Sequence, residues 1–322
     1  LAVGDAQIHE VRAGIAMKLW CENVSIRSAL TSWPADRLFS LTDSSVPFVN
    51  CPHLLLVHQA HLVYAPDAWG FDAPPSLRLR MGLMTAYLRQ TLRSVTRVTV
   101  QSQDMKTRLC ERFDVADQQV VVVPSAVTLA PADLEEGGER PEREAMTLLC
   151  VSSAAPHKNI PVLFDMLRAL EPRHGDVRLQ LTMEGEAHPD LVGAAKDRGV
   201  LDRVDFLGRC SREQIQDLSR RATLALQPSL LESFGLTYYE SMAVGLPLVV
   251  ADRAFAREAC GDAARYAEGC SGESFAAQVD ALLDRPSEAH DLAELARRRV
   301  EALGWDWARV GSRYLDLVER LE

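Results

Sequence analysis

Short aliphatic and β-branched runs alternate with amphipathic stretches along most of the chain. DRLFSL (36–41), HLLLVH (53–58), RVTVQS (97–102) and QVVVVP (119–124) are nearly unbroken apolar runs bounded by polar residues. That is the pattern of strands buried on both faces. A helical pattern over 75–95 separates the middle two. Farther on, MTLLCVSS (146–153), VRLQLTMEG (177–185), RVDFLGR (203–209), TLALQPS (223–229) and LPLVVAD (246–252) repeat the strand signature, with helical periodicity at 159–171, 189–198, 211–222 and 235–244. Beyond Pro286 the pattern is helical to the end (287–322). Strands that alternate with helices predict parallel sheets covered on both faces.

Between the two sets lies LAPADLEEGGERPEREA (129–145), polar, charged and without periodicity, which predicts a linker. The expected architecture is therefore α/β, with two Rossmann-like domains, 1–128 and 146–322, facing one another across a cleft.

Composition narrows the function. With 322 residues, 47% hydrophobic and 25% charged, the chain has stock for two cores. A formal net charge of -10 argues against a general nucleic-acid binder, which needs a basic surface to neutralise phosphates. The seven cysteines are scattered, without a C-x-x-C pair, which fits reduced thiols and a cytoplasmic setting better than a disulfide framework. No apolar run approaches the ~20 residues of a spanning helix.

The densest chemistry is in PSLLESFGLTYYESMAVGLP (228–247). Gly245-Leu246-Pro247 stops a helix that is expected to run from Phe234 to Val244, with Ser233 as its N-cap. Its first amides, at Phe234, Gly235 and Leu236, would face an anion, and Gly235 would let the anion approach the backbone. Glu232 and Glu240 are eight residues apart, about 12 Å along a continuous helix. Carboxylates so spaced suit the two ends of a sugar diphospho-nucleoside, a hydroxyl-rich sugar and a ribose diol with phosphates between. An ordinary surface helix with two solvated glutamates reads equally well from spacing alone. Lys158 in SSAAPHKNI (152–160) follows another strand and would supply a counter-charge, and His58 closes a strand of the other domain, where it could act as a donor or base. No Asp-x-Asp occurs, so a metal clamp of that type has no support, and no G-x-G-x-x-G follows a strand as a nicotinamide enzyme would need.

On these residues the sequence resembles glycosyltransferase family 4 (glycosyl transferases group 1), retaining enzymes of the GT-B architecture. The resemblance rests on ESFGLTYYE with the following SMAVGLPLVVAD, on PHKN with Lys158, and on LLLVHQ with His58. VTVQSQDMKTRL, VVVVPSAV and VDFLGRCSREQIQDLSRRA add to it, and the likeness runs from about residue 36 to 320. It implies a retaining, metal-independent hexosyltransferase that uses a nucleoside diphosphate sugar and no cofactor, acting on a glycan or lipid-linked acceptor in cell-surface polysaccharide or glycolipid synthesis. Carried over by residue, Glu232 would touch the donor sugar's hydroxyls. Phe234, Gly235, Leu236 and Thr237 would line the diphosphate with amides, Glu240 would bind the ribose diol, Lys158 the pyrophosphate, and His58 would sit beside the sugar on the acceptor side. His58, Glu232 and Lys158 are then the catalytic candidates. Ser153 stands in the donor loop where members often carry Arg.

The family's first strand and Gly-rich loop have no counterpart in residues 1–35, so the first domain is expected to be incomplete, the chain being a fragment or trimmed. A sugar-nucleotide epimerase of the same architecture and a truncated, non-catalytic nucleotide-sugar-binding module are the alternatives. SLRLRMGLMTAYLRQTLRSVTR (76–97) holds five arginines and no acid. Arg78, Arg89, Arg93 and Arg97 fall within roughly a 100° sector of one continuous helix. They form either a solvated basic edge or a peripheral contact with an anionic membrane at its inner face.

Overall fold

The structure is a computed structural model and describes residues 21–32, 35–47, 49–127 and 146–322. The expected linker at 129–145 and residues 1–20 lie outside the described residues. A π-helical turn, Cys21–Ile26, leads into helix α1, Arg27–Ser32. The first sheet has four parallel strands in sequential order, β1 (Leu38–Ser40), β2 (His53–Leu56), β3 (Arg97–Val100) and β4 (Val120–Val122). Its helices are α2 (Ala60–Val63), α3 (Pro75–Leu92) and α4 (Gln103–Phe113).

The second sheet has six parallel strands in the order β10-β9-β8-β5-β6-β7. These are β5 (Thr147–Cys150), β6 (Arg178–Leu181), β7 (Val204–Phe206), β8 (Leu224–Gln227), β9 (Leu248–Ala251) and β10 (Arg265–Ala267). Its crossover helices are α5 (Pro161–His174), α6 (Pro189–Asp197), α7 (Arg212–Arg221), α8 (Leu236–Ala243), α9 (Ala254–Cys260) and α10 (Gly272–Asp284). The chain builds outward from β5 to β7, then returns to lay β8 on the other side of β5, with Leu148 opposite Leu224. The order reverses between β5 and β8, and at such a switch point the loops leave the strands in opposite directions and open a crevice. Every strand expected from the pattern is present. The pattern does not predict α2, α4, α9, α10 or the three-residue β10.

Two long helices end the chain, α11 (Pro286–Leu303) and α12 (Trp307–Glu319). Although α12 follows the second domain in sequence, it packs on the first. Val310 joins Val123 and Ala126 in an apolar cluster, Tyr314 stacks on Phe39 at 5.2 Å, and the Val127 N–H donates to the Trp305 carbonyl at 2.8 Å.

The domains also meet directly. One apolar cluster contains Trp69, Met105 and Leu109 from the first and Leu231, Phe234, Tyr238 and Phe255 from the second. Part of the space expected to be cleft is therefore core, because both opposing surfaces are apolar and burying them is favourable. Polar contacts reinforce the junction. The Glu258 carboxylate accepts from the backbone N–H groups of Gln103 and Asp104 at 2.6 and 2.8 Å, capping α4 from the other domain. The Ser102 hydroxyl donates to the Ser233 carbonyl at 2.8 Å.

Candidate functional site

The two loops singled out in sequence flank the switch point. One follows β5 and makes a 3-10 turn at Pro156–Lys158, ending on Asn159 in the left-handed region at φ 53°. Asparagine tolerates that conformation because its short polar side chain bonds locally. Here the Asn159 side-chain amide donates to the Gly269 carbonyl at 2.6 Å. The other loop follows β8, and its Leu230 N–H donates to the His157 carbonyl at 2.8 Å. Each loop thus holds the other.

Lys158 and Glu232 meet between them as an ion pair with side chains 19% and 13% exposed. Desolvating both charges is costly unless they are paired, so the contact explains how both are retained in a half-buried place. It also leaves Lys158 able to exchange one anion for another.

The helix after Glu232 begins later than expected. Its first residue is Leu236 and its N-cap is Gly235 at φ 74°, not Ser233. A left-handed cap favours glycine, and a Cβ built at Gly235 would run into the Tyr238 ring. Ser233 has its carbonyl turned to Ser102 instead. Since only Leu236 to Glu240 of the Glu232–Glu240 interval is helical, the 12 Å separation of a continuous helix does not apply. Phe234 is 8% exposed and stacks on Tyr239 at 4.4 Å, so its ring belongs to the core and only its backbone faces the loop. Leu236 is exposed, Thr237 and Glu240 are half-buried, and Ser153 is exposed on the loop after β5. Burial raises the Glu240 pKa, with Arg212 opposing the shift.

His58 lies just past β2 in the first domain with its side chain 46% exposed. Its Nδ1 is 3.3 Å from Asp43 Oδ2, while Asp43 Oδ1 accepts from the backbone N–H groups of His58 and Gln59 at 2.6 and 2.8 Å. Asp43 itself is buried, at φ 57°, and donates its own N–H to the Leu56 carbonyl. This aspartate fixes how β2 is left and, by accepting from Nδ1, would leave Nε2 of His58 as the acceptor. The sequence reading missed it. Its only local signal is an acid beside serines in a loop.

Three residues past His58, His61 brings the first domain onto the lysine turn. Its ring meets His157 edge-on at 4.9 Å and Trp69 at 5.1 Å. Burial, then Lys158 and His61, lower the His157 pKa to about 4, and burial followed by Arg80 lowers that of His61. The first domain thus meets the lysine turn through a pair of imidazoles, one from each domain, that burial disfavours in the charged form. The structure joins Lys158 to Glu232 and sets the segment carrying His58 beside them, with Glu240 one helical turn farther along α8.

The arginine run is not one helical face. Arg97 is the first residue of β3 and Arg93 is the C-cap of α3, so the four-arginine sector of a continuous helix does not exist. Arg78 pairs with Asp72 at 2.8 Å, Arg89 donates to the Arg112 carbonyl and Arg97 to that of Gln118. Elsewhere, His174, Asp280 and Asp284 cluster at the far end of α5 from the lysine loop, with Arg173 paired to both aspartates.

A family model described as glycosyl transferases group 1 matches residues 135–299. The D-inositol 3-phosphate glycosyltransferase of Nocardiopsis dassonvillei is 28% identical over 276 residues, covering 81% of this chain and 62% of its own. The MMP alpha-(1->4)-mannosyltransferase of Mycolicibacterium hassiacum is 27% identical, covering 83% of this chain and 64% of its own. The chain thus spans less than two thirds of the length of these curated relatives. Among solved structures, WaaG, a glycosyltransferase involved in lipopolysaccharide biosynthesis, superposes with a TM-score of 0.73 at 17% identity, covering 94% of this chain and 81% of its own. Anabaena Alr3699/HepE in complex with UDP and glucose does so at 0.69 and 18%, covering 92% and 81%. The paired parallel-sheet domains are the GT-B fold.

Proposed function

The chain belongs to the glycosyl transferases group 1 family, and from that premise we propose that it moves a hexose, with retention, from a nucleoside diphosphate sugar to a glycan or lipid-linked acceptor. The observation that carries this reading is the Lys158–Glu232 pair on the two loops that flank the β5–β8 switch point. In the free protein the pair neutralises itself. When donor arrives, Lys158 turns to the diphosphate, Glu232 is released to accept from sugar hydroxyls, and the amides at Phe234, Gly235, Leu236 and Thr237 share the phosphate charge with the Ser153 hydroxyl. Glu240 accepts from the ribose diol. Residues 1–128 serve the acceptor, 146–322 the donor, and 129–145 join them.

In the transfer the bond from the anomeric carbon to the diphosphate oxygen breaks while the acceptor oxygen bonds to the same face. The acceptor's proton passes to the leaving phosphate. No metal takes part. Lys158 and the amides lower the barrier by meeting charge that grows on the leaving group. His58 Nε2 orients the sugar and acceptor. The name of one relative, for D-inositol 3-phosphate, supports a polar or phosphorylated acceptor, and that of the other, for mannosyl transfer, supports a hexose donor.

Release of nucleoside diphosphate from UDP- and GDP-hexoses in EDTA, with and without glycan and lipid-linked acceptors, tests this. The expected result is acceptor-dependent release and an α-linked product. Conversion of the sugar without acceptor would instead identify an epimerase, and nucleotide binding without turnover a non-catalytic module.

No helix among the described residues is long and apolar enough to cross a membrane. A role in cell-surface polysaccharide or glycolipid synthesis would need a peripheral contact at the inner, cytoplasmic face, for which the exposed Arg89 and Arg93 at the end of α3 are suited. Unchanged flotation with anionic vesicles after both are changed to Gln would remove that assignment.

A further inference from the structure

Arg253 stands two residues past β9, at the same strand-end edge as the two loops of the site. Its side chain reaches across the domain boundary. A methyl group built at Gly70 of the first domain would lie 2.5 Å from Arg253 Nη2 and 3.2 Å from its Cζ. One built at Gly269 would lie 3.5 Å from Nε, and both would touch Leu230. The guanidinium therefore runs between two glycines and alongside the residue whose N–H is bonded to His157.

Its charge is answered only through space, by Asp252, whose carboxyl it helps to hold low. Nε is buried with no hydrogen-bond partner. That acid is bonded to Arg257 through two bonds of 2.6 Å, which are the larger cause of its lowered pKa, and it makes no direct bond to Arg253. The Gly269 carbonyl is taken by Asn159. A guanidinium nitrogen buried between two glycines and a leucine with its donor unmet costs free energy that a bound acceptor would recover. Arginine is also the side chain best shaped for phosphate, with two parallel N–H groups on offer.

We propose that Arg253 holds a phosphate group of the substrate at the sugar end of the cleft, closing the site from the first-domain side. The inference rests on the donor reading above. Two sources share this chemistry, the terminal phosphate of the nucleoside diphosphate and a phosphate carried by the acceptor. Because the guanidinium lies against Gly70 of one domain and Gly269 of the other, its position depends on how the two domains meet.

The test is calorimetric, with UDP, UMP and inorganic phosphate as probes, on the parent chain, Arg253→Met, Arg253→Lys and Gly70→Ala. Phosphate is titrated both alone and onto UDP-saturated protein. Loss of a charge-assisted bond to phosphate weakens binding about tenfold or more. If the donor's phosphate is the partner, Arg253→Met loses that factor for UDP and not for UMP. If an acceptor phosphate is the partner, UDP affinity stays and phosphate binding is lost. Gly70→Ala should repeat the Met result by displacing the guanidinium, and Arg253→Lys should fall between. Equal binding of UDP and of phosphate by parent and Arg253→Met, both folded by circular dichroism, would overturn the proposal. Failure of the parent to bind UDP would count against the donor reading instead, and the phosphate-only titration would still decide the role of Arg253.

Discussion

Glu240 carries its proton to a higher pH than an ordinary carboxylate because it is half-buried on α8, with only Arg212 working against that shift. Since its folded value lies above the unfolded one, it contributes stability below the unfolded value, and this is lost as pH rises through the raised one. A ribose diol donates to the ionised form, so binding should release a proton. UDP affinity is therefore expected to rise with pH up to Glu240's raised value, by up to about tenfold per unit, and then level off. Calorimetry across that range, against Glu240→Gln, checks it. The same slope in both proteins would remove Glu240 from the ribose. At this scale the placing of Lys158 and Glu232 on loops after strands was legible from the strand pattern, but their pairing with each other was not. Asp43 and Asn159 were not, because each acts through a left-handed backbone and partners remote in sequence.

Helix α4 depends on a residue 154 positions away. Ser102 caps it locally, accepting from the Met105 N–H at 3.3 Å, but the first two N–H groups go to Glu258 of the other domain. A carboxylate at a helix start satisfies free donors and meets the positive end of the dipole. Glu258→Ala should cost roughly 1–2 kcal/mol in urea unfolding and speed amide exchange at Gln103 and Asp104 ahead of global unfolding. Unchanged exchange at those amides would mean that the contact does not hold the domains together. Periodicity could not announce this cap, nor β10, whose three residues pair only with β9. Helix α8 was legible in type but not in start, because Ser233 is a better cap by composition and Gly235 wins by its φ.

In the whole molecule, two parallel sheets share an apolar junction, and α12 returns from the end of the chain to lie on the first sheet. Two α/β units were legible because alternation of strand and helix is a local signal repeated many times. How they meet depends on pairs such as Tyr64 and Phe255, whose rings meet edge-on, and on the reach of Val310 to Val123. No window of sequence contains both members of such a pair. The proposed donor site at the β5–β8 switch point would hold a nucleoside diphosphate through Lys158 and the amides before α8, without metal. Calorimetric titration of UDP and GDP in EDTA tests it most directly, on the parent chain, Lys158→Ala and Glu232→Gln. Binding is expected to survive EDTA, to fall about tenfold or more in Lys158→Ala and to persist in Glu232→Gln. Binding abolished by EDTA, or undiminished in Lys158→Ala, would contradict it.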